Sequence, residues 1–567
     1  MTTSSPPRTT ERPHPLASVE QTWVPMRDGV LLTADIYRPP HGRVPALLLR
    51  TPYDRQYLRD RLIEVDPLLA MRRGYAVVIQ DLRGRFASGG EFEALMPDAE
   101  DGADTIAWLR RQPWSDGRVM MVGASYGGCV QFQAARARPD GLVAIGPTVG
   151  GALGTIARPG GAVRIAAIDG WMAILVGEAL RGKLDASVRC ELEDFMRASP
   201  LDRFHAFIEP GTVAWQVLAP LRHWVSTSPS DRYWTETTAI PLTPLPAVHT
   251  TGYYDVCLEA AIEAYATWSA VADSTAPQML TLGPWDHDLA AVYPDLLGTQ
   301  SPPGLVALER QLAFFDVVLG RAQAEELAPV MSFVLGRNRW HEDMRWPPAG
   351  VKPLPLWLAT DLVGSGRLQG GECDEQRTIS YHYDPRDPVP TLGGANAVWG
   401  LAGPMEQTPV ESRADVLTFT SAYFDSELEL AGAPIARLVV SSSAPATDFI
   451  ARLTLVEPDG RSFPLAHGIW GGRLADLPAA GPGLAYRRCE IQLMPIHIAL
   501  APGRRLRLQI TSSCYPDIYP NPNTGHDLIL GPPPRVQTAE QSLLLGGAEG
   551  SSLILPLHGA RPREVPA

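Results

Sequence analysis

Runs of apolar and polar positions divide the chain into regions that follow different rules. Over residues 19–37 two alternating runs flank Arg27-Asp28-Gly29, and an Asp-Gly pair in that setting predicts a β-hairpin. Continuous apolar runs at 46–49, 75–79, 119–122 and 143–145 predict short strands buried on both faces. Between them, residues 98–111 carry Ile106, Trp108 and Leu109 on one side of a helix. Strands alternating with helices predict a parallel sheet.

After Thr148 the strand signals fade. Residues 166–180 and 185–198 have helical spacing and predict a helical insertion. It carries Trp171, Phe204, Phe207, Trp215, Trp224 and Trp234. Most of these should pack the insertion's own core, leaving one or two to face a pocket. Parallel-sheet spacing returns with strands at 247–250, 279–282 and 330–334 and helices at 259–268 and 306–319. Past Val351 short alternating runs follow one another, separated by turns such as Pro458-Asp459-Gly460. Many short strands without helices predict an all-β sandwich. The expected organisation is a disordered leader (1–15), an α/β catalytic domain (16–148 and 241–351), a helical cap (149–240) and a β-domain (352–567).

Composition narrows the function class. The chain has 567 residues and a net charge of −13, which disfavours nucleic acid or an anionic membrane as partner. No apolar run approaches the roughly 18 residues needed to span a bilayer, and residues 1–15 lack a signal-peptide core. A cytoplasmic protein is expected, with a homodimer as an allowed assembly. The six cysteines are scattered, with no CxxC pair and no zinc-like His/Cys spacing, so no metal and no organic cofactor is expected.

The chemistry centres on Gly123-Ala124-Ser125-Tyr126-Gly127-Gly128, which lies between a predicted strand and a helix-compatible segment. Strand, tight turn and helix are the context that makes Gly-x-Ser-x-Gly a nucleophile elbow. A serine nucleophile needs a base near neutrality, hence histidine. Of twelve histidines, His287 is preferred because it lies just past a strand of the resumed sheet. His341 is the second choice, His249 reads as a core residue, and His205 and His223 belong to the insertion. Asp255 also follows a strand and is the candidate orienting acid; the order Ser125, Asp255, His287 is that of an α/β-hydrolase. For the oxyanion hole, one donor would be the Tyr126 backbone N–H. The second should come from Arg50-Thr51-Pro52-Tyr53, where Pro52 has no N–H. The Tyr53 phenol is the candidate there, although spacing alone reads Tyr53 as an ordinary loop aromatic.

The chain resembles the cocaine esterase-like acyl esterases of the X-prolyl dipeptidyl-peptidase family. Motifs carrying the resemblance include Met26-Arg27-Asp28-Gly29-Val30, Arg50-Thr51-Pro52-Tyr53, Asp81-x-Arg83-Gly84 with Ser88, Gly90 and Phe92, and the elbow. Gly252-Tyr253-Tyr254-Asp255, Gly283-Pro284-Trp285-x-His287, Trp346-Pro347-Pro348 and Asn521-Pro522-Asn523-Thr524-Gly525 continue it towards the C-terminus. The resemblance implies an α/β-hydrolase core with an inserted helical cap and a C-terminal jelly roll. It implies a triad of Ser125, Asp255 and His287, and an oxyanion hole of Tyr53 and Tyr126. It also implies a pocket between core, cap and jelly roll, with Trp171 as a wall and a contribution from residues 395–399, Trp399 included.

The expected function is serine-dependent hydrolysis of a small-molecule ester or amide through an acyl-enzyme. Alternatives are β-lactam-type or X-Pro dipeptidyl hydrolysis, for which Glu178 could bind a free amine, and acyl transfer to an amine or alcohol. A non-enzymatic alternative is carbohydrate binding by the β-domain. Two departures bear on specificity: Asp286 and Asp288 flank His287, and Val256-Cys257 follows Asp255 where the family has a glycine-aromatic pair.

Overall fold

The computed structural model describes residues 19–56, 65–226, 233–234, 239–272, 274–289, 303–361, 365–371, 375–398, 400–481, 485–525, 535–547 and 549–559. The expected leader at 1–15 lies outside them.

Ten strands form the first sheet: β1 (Glu20–Pro25), β2 (Leu31–Tyr37), β3 (Val44–Thr51), β4 (Ala76–Asp81), β5 (Ser115–Ala124), β6 (Leu142–Thr148), β7 (Ala247–Tyr254), β8 (Gln278–Asp286), β9 (Val330–Val334) and β10 (Arg339–Asp343). Their spatial order is β1-β2-β4-β3-β5-β6-β7-β8-β9-β10. From β4 to β9 every neighbouring pair is parallel. The hairpin β1–β2 and the last strand β10 are antiparallel additions at the two edges. Leu47 and Leu49 face one apolar layer, with Leu312 and Phe315 of the helix Pro303–Val318. Leu48 faces the other, with Phe132 and Trp268. Helices cover both faces, which is why the central strands read as unbroken apolar runs.

Between β6 and β7 the chain folds into helices, among them Ile165–Arg181, Ala186–Arg197 and Pro200–Ile208. Phe204, Phe207, Trp224 and Trp234 are buried in one cluster, which the insertion does not own but shares with Leu82, Leu95, Tyr126 and Val130 of the α/β core and Tyr519 of the β-domain.

From Lys352–Thr360 to Ser552–His558, thirteen strands make a second sheet system. Among the described strand-to-strand ladders of this sheet only Gly366–Gln369 with Leu417–Ser421 is parallel, beside an isolated parallel bridge between Pro390 and Tyr515. Its apolar core runs on into Tyr253, Val330 and Phe333 of the first sheet, so the all-β domain is packed against the α/β core. The sequence pattern misses the long strand Ser462–Arg473, because Pro464 and Gly468 interrupt its buried run and both weaken a strand reading. It also misses β10, an edge strand with mostly half-exposed side chains.

Candidate active site

The elbow forms where β5 ends at Ala124 and the helix Tyr126–Arg136 begins. Ser125 between them holds φ 56° and ψ −121°, a strained backbone for a residue with a side chain. A Cβ on Gly123 would lie 3.0 Å from the Gly127 carbonyl oxygen, and one on Gly128 would lie 3.1 Å from Gly150 Cα. Close backbone approach at Gly123 and Gly128, with φ +140° at Gly123, therefore favours glycine at these two positions.

Strands β5, β6, β7 and β8 are consecutive parallel neighbours, so their C-terminal ends share one edge of the sheet. Asp255 follows β7 directly and His287 follows β8 directly. At that edge His287 Nε2 stands 3.0 Å from Ser125 Oγ, and His287 Nδ1 stands 2.7 Å from Asp255 Oδ1. Asp255 is fully buried; its Oδ2 accepts from Thr251 Oγ1 at 2.6 Å and its Oδ1 from the Cys257 N–H at 3.0 Å. Those donors set the carboxylate's orientation. A proton on Nδ1, given to Asp255, leaves the Nε2 lone pair aimed at Ser125. Burial works against protonation of His287, but the charge and hydrogen bond of Asp255, with Asp288 and Asp286 nearby, outweigh it and raise its pKa above the ordinary value.

Tyr53 lies just after β3. Its own N–H is taken by Thr51 Oγ1 at 3.0 Å, and Pro52 has none, so neither residue offers a free backbone donor. Its phenol points at the nucleophile, 3.3 Å from Ser125 Oγ. On the other side, Tyr126 is the first residue of its helix, where a backbone N–H has no intrahelical acceptor. The Tyr126 side chain is tied elsewhere: its phenol donates to Asp98 Oδ2 at 3.0 Å and accepts the Leu95 N–H at 2.7 Å. Asp98 has its pKa pushed up to about 6 by burial, against the pull of Arg50.

Trp171, on the cap helix Ile165–Arg181, covers this centre. Its ring centroid lies 5.5 Å from Tyr53, 5.2 Å from Tyr126 and 6.4 Å from Phe92. Two turns further along the same helix, Glu178 Oε2 is 2.5 Å from Arg85 Nη1. Arg85 is buried, donates to the Pro52 carbonyl at 3.1 Å and sits 5.0 Å above the Phe92 ring. Glu178, considered above as a receptor for a free amine, is thus already occupied by a guanidinium. From the β-domain, Ala397 packs beside Val256 and Cys257, bringing residues 395–398 next to the segment after Asp255. Trp399 lies outside the described residues.

His341 is elsewhere, on β10 with its ring 5.4 Å from that of His497. His249 is fully buried between Phe132 and Trp268, and burial lowers its pKa to about 4. Thr251, Arg85 and Phe92 were not legible as site residues; Phe92 had a signal in the Gly90-x-Phe92 spacing, the other two had none. A separate cavity of about 590 Å³, lined in part by Arg158, Glu259, Glu263 and Gln492, contains no member of this constellation.

Residues 28–288 match the family model for X-Pro dipeptidyl-peptidase (S15 family), and residues 322–554 match that for the X-Pro dipeptidyl-peptidase C-terminal non-catalytic domain. Cocaine esterase of Rhodococcus sp. (strain MB1 Bresler) is 34% identical, with 94% of this chain and 97% of that protein aligned. The chain belongs to the S15 X-Pro dipeptidyl-peptidase family. As an S15 member it is a serine hydrolase with an α/β-hydrolase fold and a separate C-terminal all-β domain. Two solved structures share the whole architecture. An aminopeptidase from a marine sediment Thaumarchaeota archaeon superposes with a TM-score of 0.78 at 23% identity, over 98% of this chain and 99% of that one. An alpha-amino acid ester hydrolase superposes with a TM-score of 0.75 at 24% identity, over 98% and 100%. At those identities the likeness concerns the fold alone. Among the described residues no helix of this S15 protein is long and apolar enough to cross a membrane.

Proposed function

We propose that this S15 hydrolase cleaves small-molecule acyl esters through an acyl-enzyme on Ser125. The observation that carries the reading is the unbroken relay from Asp255 through His287 to Ser125 Oγ, at 2.7 and 3.0 Å. His287 Nε2 takes the Ser125 proton as Oγ attacks the ester carbonyl. Asp255 holds the ring in the tautomer that can accept it and stabilises the imidazolium that forms. The carbonyl oxygen, now negative, is held by the Tyr53 phenol and the Tyr126 N–H. His287 returns the proton to the departing alcohol, and a water activated by the same histidine releases the acid.

An ester is favoured over an X-Pro peptide because Glu178 is paired with Arg85, which leaves that carboxylate engaged where a free α-amine would need it. The name borne by the 34%-identical relative, cocaine esterase, supports the same choice. Trp171 forms a wall of the acyl pocket, and Ala397 with its neighbours closes the side nearest Asp255. The reaction needs no metal or organic cofactor, and it takes place on a soluble small molecule in the cytoplasm.

The deciding experiment is Ser125→Ala with p-nitrophenyl esters and a fluorophosphonate probe. Turnover should fall by about 10⁴- to 10⁶-fold and labelling should vanish, with the circular dichroism spectrum unchanged. Turnover kept at wild-type level would refute the assignment.

A further inference from the structure

Away from the serine, the junction between the two sheets gathers four side chains that lie far apart in sequence. Glu429 is on the strand Leu428–Gly432, His497 on Ile496–Leu500, and His558 ends Ser552–His558. His341 reaches them from β10 of the hydrolase sheet. Glu429 Oε1 is 3.1 Å from His497 Nε2 and 2.8 Å from His558 Nδ1. One ligand atom from each of these three residues lies within 4.8 Å of the others. The ring centroids of His341, His497 and His558 are 5.4, 6.1 and 6.2 Å apart.

We propose that Glu429, His497 and His558, with His341 alongside, bind one divalent transition-metal ion of the zinc class and so clip the all-β domain to β10. Imidazole nitrogens with one carboxylate oxygen are the donor set that such an ion prefers. Nitrogens about 2.0–2.1 Å from a tetrahedral ion bring the rings to roughly 5–6 Å of one another, close to the spacing found here. The far nitrogen of His497 has the partner expected behind a metal ligand: Nδ1 lies 2.9 Å from Ser332 Oγ on β9. When the ion displaces the Nε2–H contact to Glu429, that proton is released, Nδ1–H donates to Ser332 and the Nε2 lone pair binds the ion. His341 Nε2 is buried, makes no hydrogen bond, and stands 3.7 Å from Asp343 Oδ2, available as a fourth donor after a small ring movement. Glu429 is half-buried, and its carboxylate faces the imidazoles of His497 and His558 and the guanidinium of Arg337. Arg337 is also the ion's competitor, since its Nη1 lies 2.6 Å from Glu429 Oε2.

The test uses metal-stripped full-length protein titrated with Zn²⁺ by calorimetry and by equilibrium dialysis with elemental analysis. One saturable equivalent is expected, with a higher unfolding temperature and ester turnover unchanged at that equivalent. Ser332→Ala should weaken binding by about 10- to 100-fold, His558→Ala should remove it, and Arg337→Met should strengthen it. Co²⁺ should give the intense visible absorption of a four-coordinate site, absent in His558→Ala. Asp255, Cys257 and His287 also gather ligand atoms, so Cys257→Ser is titrated in parallel. An equivalent lost in Cys257→Ser but kept in His558→Ala would overturn the proposal, as would no saturable binding. If His558→Ala does not fold, opposite affinity shifts in Ser332→Ala and Arg337→Met support the site, and no shift in either overturns it.

Discussion

The Tyr53 phenol and Ser125 Oγ meet at 3.3 Å although 72 residues separate them in the chain. Pro52 has no N–H and the Tyr53 N–H is bonded to Thr51, so what these two residues present to the reacting oxygen is the Tyr53 side chain. Tyr53→Phe keeps the ring against Trp171 and deletes one donor. It should lower kcat by about 10²- to 10³-fold with a much smaller change in KM, because the lost bond strengthens only as the oxyanion forms. Steady-state kinetics on a p-nitrophenyl ester check this; an unchanged kcat would remove Tyr53 from the oxyanion hole.

Asp255 is oriented by Thr251 and the Cys257 N–H before it meets His287. Asp255→Asn should reverse the preferred tautomer of His287 and cost about 10⁴-fold in kcat. Thr251→Val leaves the carboxylate in place with one donor fewer, so it should cost less, and the loss should appear in kcat more than in KM. Comparing both variants with the same ester separates orientation from charge. Equal losses would contradict a positioning role for Thr251.

The base is shifted towards its charged form by Asp255, Asp288 and Asp286 despite its burial. Catalysis needs His287 neutral, so kcat/KM should fall on the acid side through a pKa above the ordinary value of about 6.5. Asp288→Asn and Asp286→Asn remove negative charge and should move that limb to lower pH, with the double variant moving furthest. The stability contribution of the same group has the opposite sense. It is complete below the unfolded-state pKa and is lost as pH rises through the raised folded value. A pH–rate profile that does not move in the double variant would show that the flanking carboxylates leave the base unaffected.

Trp171 packs against Tyr53, Tyr126 and Phe92, and the proposed acyl pocket has its ring as a wall. Trp171→Ala should leave fluorophosphonate labelling of Ser125 intact and erode discrimination between aromatic and short aliphatic acyl esters by about 10- to 200-fold in kcat/KM. A panel of p-nitrophenyl esters reads this directly. An unaltered preference would place the acyl pocket elsewhere.

Local pattern carried much of this protein. The Asp28-Gly29 hairpin, the apolar runs of β3 to β6, and the helical spacing after Thr148 report short-range requirements of backbone and burial. The elbow was legible because strain and close packing at Ser125 demand glycines at fixed offsets. Asp255 and His287 were legible because parallel strands deliver their C-terminal ends to one edge, which makes position after a strand informative. What depended on contacts across the chain was not readable. Nothing local says that Glu178 of the cap meets Arg85 of the core, or that Thr251 supports Asp255. The scattered histidines gave no metal-like spacing, yet three strands of one sheet and the edge of another set three of them around Glu429. Sequence by itself determined the main elements of the α/β core, the all-β character of the C-terminal region and the order of the reacting groups, because those follow from periodicity and turn chemistry. Only the tertiary structure decided which distant side chains share a charge, a pocket wall or a ligand atom, because those distances are set by how sheets, cap and β-domain pack.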